Sequence, residues 1–185
     1  MINRAQLQAA YDLVEHLQGQ GLQCVIAGGC ARDIFFGVVP KDIDIIVVNT
    51  SREIVDDILA KGLYRNAYYP FYENCSDDRI EACWKLTGSN IDVILYDCEF
   101  AEQAIQAFDF NLNQFSLVGI HRGIDETVVR YQGTHPWNRF VPVRRDFTTK
   151  RLEYMMAKYH TLVLKGKKPP VGVHEVPVGG PYGLF

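Results

Sequence analysis

The feature that most constrains this chain is the segment Lys41-Asp42-Ile43-Asp44-Ile45-Ile46-Val47-Val48. Apart from Asp44, everything from Ile43 onward is β-branched and apolar, which predicts a buried strand over Ile43–Val48. Strand geometry turns alternate residues to the same side, so Asp42 and Asp44 share a face. Two ionised carboxylates held together repel, and burial adds to the penalty. A divalent cation between them removes that penalty, and oxygen ligands of this kind suit Mg²⁺, which keeps waters and takes further ligands from phosphates. A bare Asp-x-Asp also fits a solvated pair in the loop before a strand. Asp92 favours the first reading, because it too is the acid near the start of an apolar run, Ile91–Tyr96. Two strands of one small sheet can gather three carboxylates, enough for a two-metal site. Asp97 falls beyond the strand end and on the opposite side of the pleat from Asp92.

Around these strands the pattern alternates. Residues 4–19 repeat Leu7, Ala10, Tyr11, Val14 and Leu17 at helical spacing, with Gly19 and Gly21 to end the helix. Residues 22–27 form a short apolar strand closed by Gly28-Gly29, and residues 31–36 a short helix that stops at Gly37. Ser51 is placed to cap a helix carrying Ile54, Ile58 and Leu59 up to Gly62. Residues 63–78 form an exposed loop or irregular edge, and 79–86 pairs with Ile91–Tyr96 across a Gly88-Ser89-Asn90 turn. Helix is expected over 99–108, short β segments with a turn at Gly123 over 110–131, and helix again over 148–164 with Leu152, Met155, Met156 and Tyr159 on one face. The fold class is α+β: a small mixed β-sheet packed against helices on one face, with a short C-terminal helical extension. The last twenty residues hold five Gly and four Pro and read as a flexible tail.

At 185 residues, with 48% apolar and 12% aromatic content, the chain suits one packed domain with a small appendage. A net charge of −3 argues against nucleic-acid binding by bulk electrostatics, so any such contact needs a local basic patch. Five cysteines without a CxxC pair read as reduced thiols without a role. The N-terminal segment is amphipathic and acidic, unlike a signal peptide, and no run approaches the roughly 18 apolar residues needed to span a bilayer. A soluble, cytoplasmic protein with no membrane contact is expected. Tyr64, Tyr68, Tyr69, Phe71 and Tyr72 beside Arg65 fit either a base-stacking surface or a partly buried loop, and the five histidines show no metal-ligand spacing.

Ahead of the acidic pair runs Ala27-Gly28-Gly29-Cys30-Ala31-Arg32-Asp33. A strand ending in two glycines and opening a helix offers backbone N–H groups to a phosphate, although a tight turn explains Gly-Gly equally well. Arg32 can grip phosphate, or pair with Asp33 or another acid. Taken together, GGCARDIFFGVVPKDIDIIV resembles the GG-x-x-RD…DxD signature of the polymerase-β-type nucleotidyltransferase superfamily, and within it the head domain of CCA-adding enzymes and bacterial poly(A) polymerases. A second stretch, Phe108-Asp109-Phe110-Asn111-Leu112-Asn113, resembles the RRDFTINAL motif of that family, with its paired arginines replaced by Ala107 and Phe108. Arg144-Arg145-Asp146-Phe147-Thr148 copies the front of that motif more literally. It follows a stretch, Gly133 to Phe140, that looks like the family's exit from the head, and so reads as a basic patch.

The resemblance covers roughly residues 20–140 and ends there; the expected division is a head-like domain over 1–140, a helical extension over 141–166 and a flexible tail over 167–185. It implies Mg²⁺ held by the catalytic carboxylates Asp42, Asp44 and Asp92, and an NTP, ATP or CTP, bound by Gly28, Gly29, Arg32, Asp33, Asp109 and Asn113. Arg139, Arg144, Arg145 and Arg151 are the substrate-facing candidates. The implied activity is transfer of NMP to an acceptor hydroxyl, an RNA 3′ end in the first instance. A protein or small-molecule acceptor, or a silent nucleotide- or partner-binding domain, are the alternatives. The family's EDxxR base-selecting block and its RNA-gripping body and tail have no counterpart, so a partner protein or a homo-oligomer would have to supply the RNA grip.

Overall fold

A computed structural model of the chain describes residues 1–62, 64, 66–68, 79–166, 169 and 172–179. The helices are α1 (Arg4–Gly19), α2 (Gly29–Phe35), α3 (Arg52–Lys61), α4 (Ala101–Gln106) and α5 (Thr149–Tyr159). The strands are β1 (Gln23–Ala27), β2 (Ile43–Val48), β3 (Asn66–Tyr68), β4 (Ile80–Leu86), β5 (Ile91–Tyr96), β6 (Phe115–Val118), β7 (Val128–Tyr131) and β8 (Glu175–Pro177). They form one eight-stranded sheet in the order β3-β4-β5-β2-β1-β6-β7-β8. β2 and β5 run parallel while the other neighbours run antiparallel, so the sheet is mixed and the class α+β.

Alternation along the two parallel strands, β2 and β5, divides their side chains between two cores. Ile43, Ile45 and Val47 of β2, with Ile91, Val93 and Leu95 of β5, join the larger core, where Leu7, Val14 and Leu17 of α1, Ile34 and Phe35 of α2, and Val55 and Leu59 of α3 cover the sheet. Ile46, Val48, Ile94 and Tyr96 point the other way, against Ala104 and Ile105 of α4. The expected placement of helices on one face is therefore corrected. The apolar residues of β2 and β5 need cover on both sides, and α4 supplies it on the second. α4 is only six residues long, shorter than the 99–108 pattern, and part of that second face stays open.

α1 begins with a reciprocal cap: Gln6 N–H donates to Asn3 Oδ1 at 2.9 Å and Asn3 N–H to Gln6 Oε1 at 3.0 Å. Ser51 stands at the N-cap of α3 but makes no side-chain cap bond to it. α5 meets the larger core through buried Met155, and Leu162 and Val163 follow in a π-helical turn over His160–Leu164. Met156, expected on the buried face, is 53% exposed; Leu152, Met155 and Tyr159 make that face without it. The flexible tail is corrected at Glu175–Pro177, which pairs with β7 while Val176 and Val178 are buried. In 63–78, β3 pairs with β4 and Tyr64 packs on the core, whereas Arg65, Tyr69, Phe71 and Tyr72 lie outside the described residues. Cys24, Cys30, Cys83 and Cys98 are buried free thiols, and burial pushes the Cys24 and Cys83 thiols up to about 12. Among the described residues no helix is long and apolar enough to cross a membrane.

Candidate active site

Strand register brings the acids together. Asp44 of β2 is the direct partner of Asp92 on parallel β5, and Asp92 is the partner of Lys85 on β4. Ala27, the last residue of β1, lies opposite Asp44 on the other side. One row across the sheet thus reads Lys85, Asp92, Asp44, Ala27. Asp44 and Asp92 share the face of Ile46 and Ile94, which α4 covers only farther along the strands. Beyond that cover lies a cavity of about 440 Å³ lined by Asp42, Asp44, Asp92, Gly28, Gly29, Arg32, Lys85, Phe108, Asp109, Asn113, Arg144, Arg151 and Tyr154, with Ile46, Ile80, Ile94 and Tyr96.

The electrostatics of the floor are those of an under-compensated negative site. Burial, followed by the negative charges of Asp42 and Asp92, pushes the Asp44 carboxyl up to about 7, while Lys85 and Arg32 pull the other way. Lys85 Nζ donates to Asp92 Oδ2 at 2.9 Å. The three carboxylates supply the hard oxygen donors that Mg²⁺ takes, facing a space open to further oxygen ligands. Among the described residues no three His, Cys, Asp or Glu side chains are gathered into a group that could hold a metal ion. Asp42, Asp44 and Asp92 are the residues whose oxygens could hold one.

The glycine turn forms one wall. Gly28 has φ +82°, in the left-handed region that glycine enters without strain, and a Cβ there would come within 3.7 Å of Phe108 and 3.8 Å of Asp44 Oδ2. Its N–H donates to the Phe115 carbonyl at 2.9 Å and is not available to a ligand. The first amides of α2, from Gly29 on, have no intrahelical acceptor.

Arg32 is buried and held from two sides. Its Nε donates to Asp33 Oδ1 at 2.7 Å and its Nη1 to Asn113 Oδ1 at 2.6 Å. The chain of contacts continues outward. Asn113 Nδ2 donates to Asp109 Oδ1 at 2.9 Å, Arg151 Nε to Asp109 Oδ2 at 2.6 Å, and Lys158 Nζ to Asp33 Oδ2 at 3.3 Å. α5 is thus tied down twice from one face, by Arg151 to Asp109 and by Lys158 to Asp33. Of the two roles open to Arg32 in the sequence, the pair with Asp33 is the one formed. Asp33 stands behind Arg32 and does not line the cavity. Arg139 and Arg145 are likewise absent from the lining, whereas Arg144, which pairs with Asp146 at 3.0 Å, and Arg151 belong to it. Asp97 lines a separate cavity with Asn49, Glu81 and Glu99.

Lys85 and Tyr154 are among the lining residues that the sequence did not single out. Lys85 looks like the polar position of an ordinary alternating strand, and only register places it beside Asp92. Tyr154, 44% exposed with the Arg151 guanidinium 5.6 Å from its ring centroid, could have been found from its spacing three residues after Arg151 on a helix.

No family profile matches the chain. It is 40% identical over 52 residues to poly(A) polymerase I of Haemophilus influenzae, a stretch covering 28% of this chain and 11% of that protein. The chain resembles a nucleotidyltransferase head domain. Solved structures similar to this chain include an apo CCA-adding enzyme, with a TM-score of 0.46 and 18% identity over 63% of this chain and 27% of that one. The Thermotoga maritima CCA-adding enzyme complexed with tRNA gives a TM-score of 0.47 and 18% identity at the same coverage. The chain therefore spans 11% of the curated relative and about a quarter, 27%, of each of these solved chains.

Proposed function

We propose that this chain is a Mg²⁺-dependent nucleotidyltransferase that moves NMP from ATP or CTP to the 3′-hydroxyl of an RNA and releases pyrophosphate. The observation that carries the reading is the direct opposition of Asp44 and Asp92 on parallel strands, at the floor of a cavity that also holds Asp42 and the Gly28-Gly29 turn. Asp42, Asp44 and Asp92 would hold Mg²⁺, which supplies neutralisation of the triphosphate and activation of the acceptor hydroxyl. The first turn of α2 faces the triphosphate with amides that have no intrahelical acceptor. Arg32, fixed by Asp33 and Asn113, keeps a positive charge in the same wall. The hydroxyl oxygen bonds to the α-phosphorus and its proton passes to solvent as the bond to the bridging oxygen breaks and that oxygen leaves with pyrophosphate, so the protein's task is positioning and charge stabilisation. An RNA acceptor is supported by the named curated relative and by Arg144 and Arg151 in the cavity wall.

The test is incubation of the purified chain with each α-labelled NTP, Mg²⁺, total RNA and cell extract. Label from ATP or CTP in RNA is the expected result. Label in protein or a small molecule replaces the acceptor, and label nowhere overturns the enzymatic reading.

A further inference from the structure

The row across the sheet carries a positive charge that the proposed reaction does not use. Lys85 is the cross-strand partner of Asp92, as Asp92 is of Asp44, and its Nζ lies 2.9 Å from Asp92 Oδ2. The lysine side chain is 46% exposed and the aspartate 16%, so a flexible cation reaches from the rim onto a recessed carboxylate. Both line the same cavity. A cross-strand ion pair can be no more than surface complementarity. Here, however, the carboxylate is one of the three that would hold a divalent cation, and Lys85 bonds one of its oxygens.

We propose that Lys85 is a built-in cation that occupies Asp92 until a divalent ion displaces it, and so sets the metal concentration at which the site loads. This rests on the reading of Asp42, Asp44 and Asp92 as the metal-holding set. An ammonium on a four-carbon stem suits the role, being a compact point charge that can swing away without backbone movement. A guanidinium, with its rigid fork, would hold the carboxylate more firmly. The consequence is a pair of opposite effects. Without Lys85 the apoprotein loses a counter-ion and is less stable, yet it binds metal more tightly because nothing competes for Asp92. A surface pair with no bearing on metal would move the first quantity and not the second.

The experiment is calorimetric titration of nucleotide-free protein with Mn²⁺, on wild type, Lys85→Met and Lys41→Met, with thermal melts of each with and without Mn²⁺. Lys85→Met is expected to bind Mn²⁺ about fivefold more tightly, to melt lower when apo and to gain more from Mn²⁺. Lys41→Met, an equal charge loss one residue from Asp42, should stay within about twofold of wild type. If Lys85→Met does not fold, Lys85→Gln keeps a hydrogen bond to Asp92 without the charge and should show the same direction. Equal or weaker Mn²⁺ binding after loss of Lys85 overturns this inference alone. A wild-type chain that binds no Mn²⁺ overturns the metal reading and the inference with it.

Discussion

The substitution Asp33→Ala isolates the structural part of the site from its chemistry. Asp33 and Arg32 have side chains each 5% exposed, joined by an Nη2–Oδ1 contact of 2.6 Å and an Nε–Oδ1 bond of 2.7 Å. Removing the carboxylate leaves a buried guanidinium with Asn113 as its remaining described partner, and strands Lys158, whose side chain is 19% exposed. Breaking a buried pair from one side costs about 3–5 kcal/mol. Set against a typical total of about 5–15 kcal/mol, that is a large share of the fold's stability. With a urea slope of about 2 kcal/mol per molar, the unfolding midpoint should fall by about 1.5–2.5 M. Arg151→Met, at a pair whose arginine side chain is 42% exposed, should cost no more than about 1 kcal/mol. The assay is urea unfolding followed by far-UV circular dichroism, with Asp33→Asn as an intermediate case because its amide oxygen still accepts from Arg32. A loss below about 1 kcal/mol for Asp33→Ala would refute the argument that Arg32 is held in place by this carboxylate.

Gly28→Ala forces a Cβ onto a residue at φ +82° and ψ −135° and should cost about 1–3 kcal/mol in a chemical melt, chiefly from backbone strain, since the nearest atoms lie 3.7 Å and 3.8 Å away. Asp44→Asn removes the charge that burial and two neighbouring carboxylates disfavour, so the metal-free protein should melt higher by about 2–4 °C by calorimetry; a lower melting temperature would contradict the charge balance described for the floor. Asp92→Ala should cut nucleotide incorporation by about a hundredfold or more, while Asp97→Ala, in a separate cavity, should leave it near wild type. The reverse ranking in labelled-nucleotide assays would mean that the third carboxylate has been misassigned.

The centre of the fold was legible because β2 and β5 are runs of β-branched and apolar residues broken by one acid each. Their element bounds follow from those apolar runs, and the shared face of Asp42 and Asp44 from period-two geometry. What that geometry does not carry is register. The opposition of Asp44 to Asp92, and of Asp92 to Lys85, depends on how three strands slide past one another, which residue type alone leaves open. Long-range contacts were hidden for a related reason. Lys158 and Asp33 are 125 positions apart and Arg151 and Asp109 are 42 apart, so neither pair leaves a local pattern. The tail misled because its glycines and prolines mask the short Glu175-Val176-Pro177 strand, whose Val176 is buried while Glu175 pairs with Arg130. Met156 misled because a helical face read from apolar residues alone cannot tell the core side from its neighbour. Here the face is set by Leu152, Met155 and Tyr159.

The central claim is that Asp42, Asp44 and Asp92 act together on a nucleotide through a divalent ion. The most direct test is Mg²⁺-dependent incorporation of α-labelled ATP or CTP into RNA by wild type and by Asp44→Ala, with circular dichroism to show that both are folded. The expected result is label with wild type, abolished by EDTA, and a loss of at least about a hundredfold in the variant. Equal incorporation by the two proteins, or incorporation by wild type that EDTA does not affect, would contradict it.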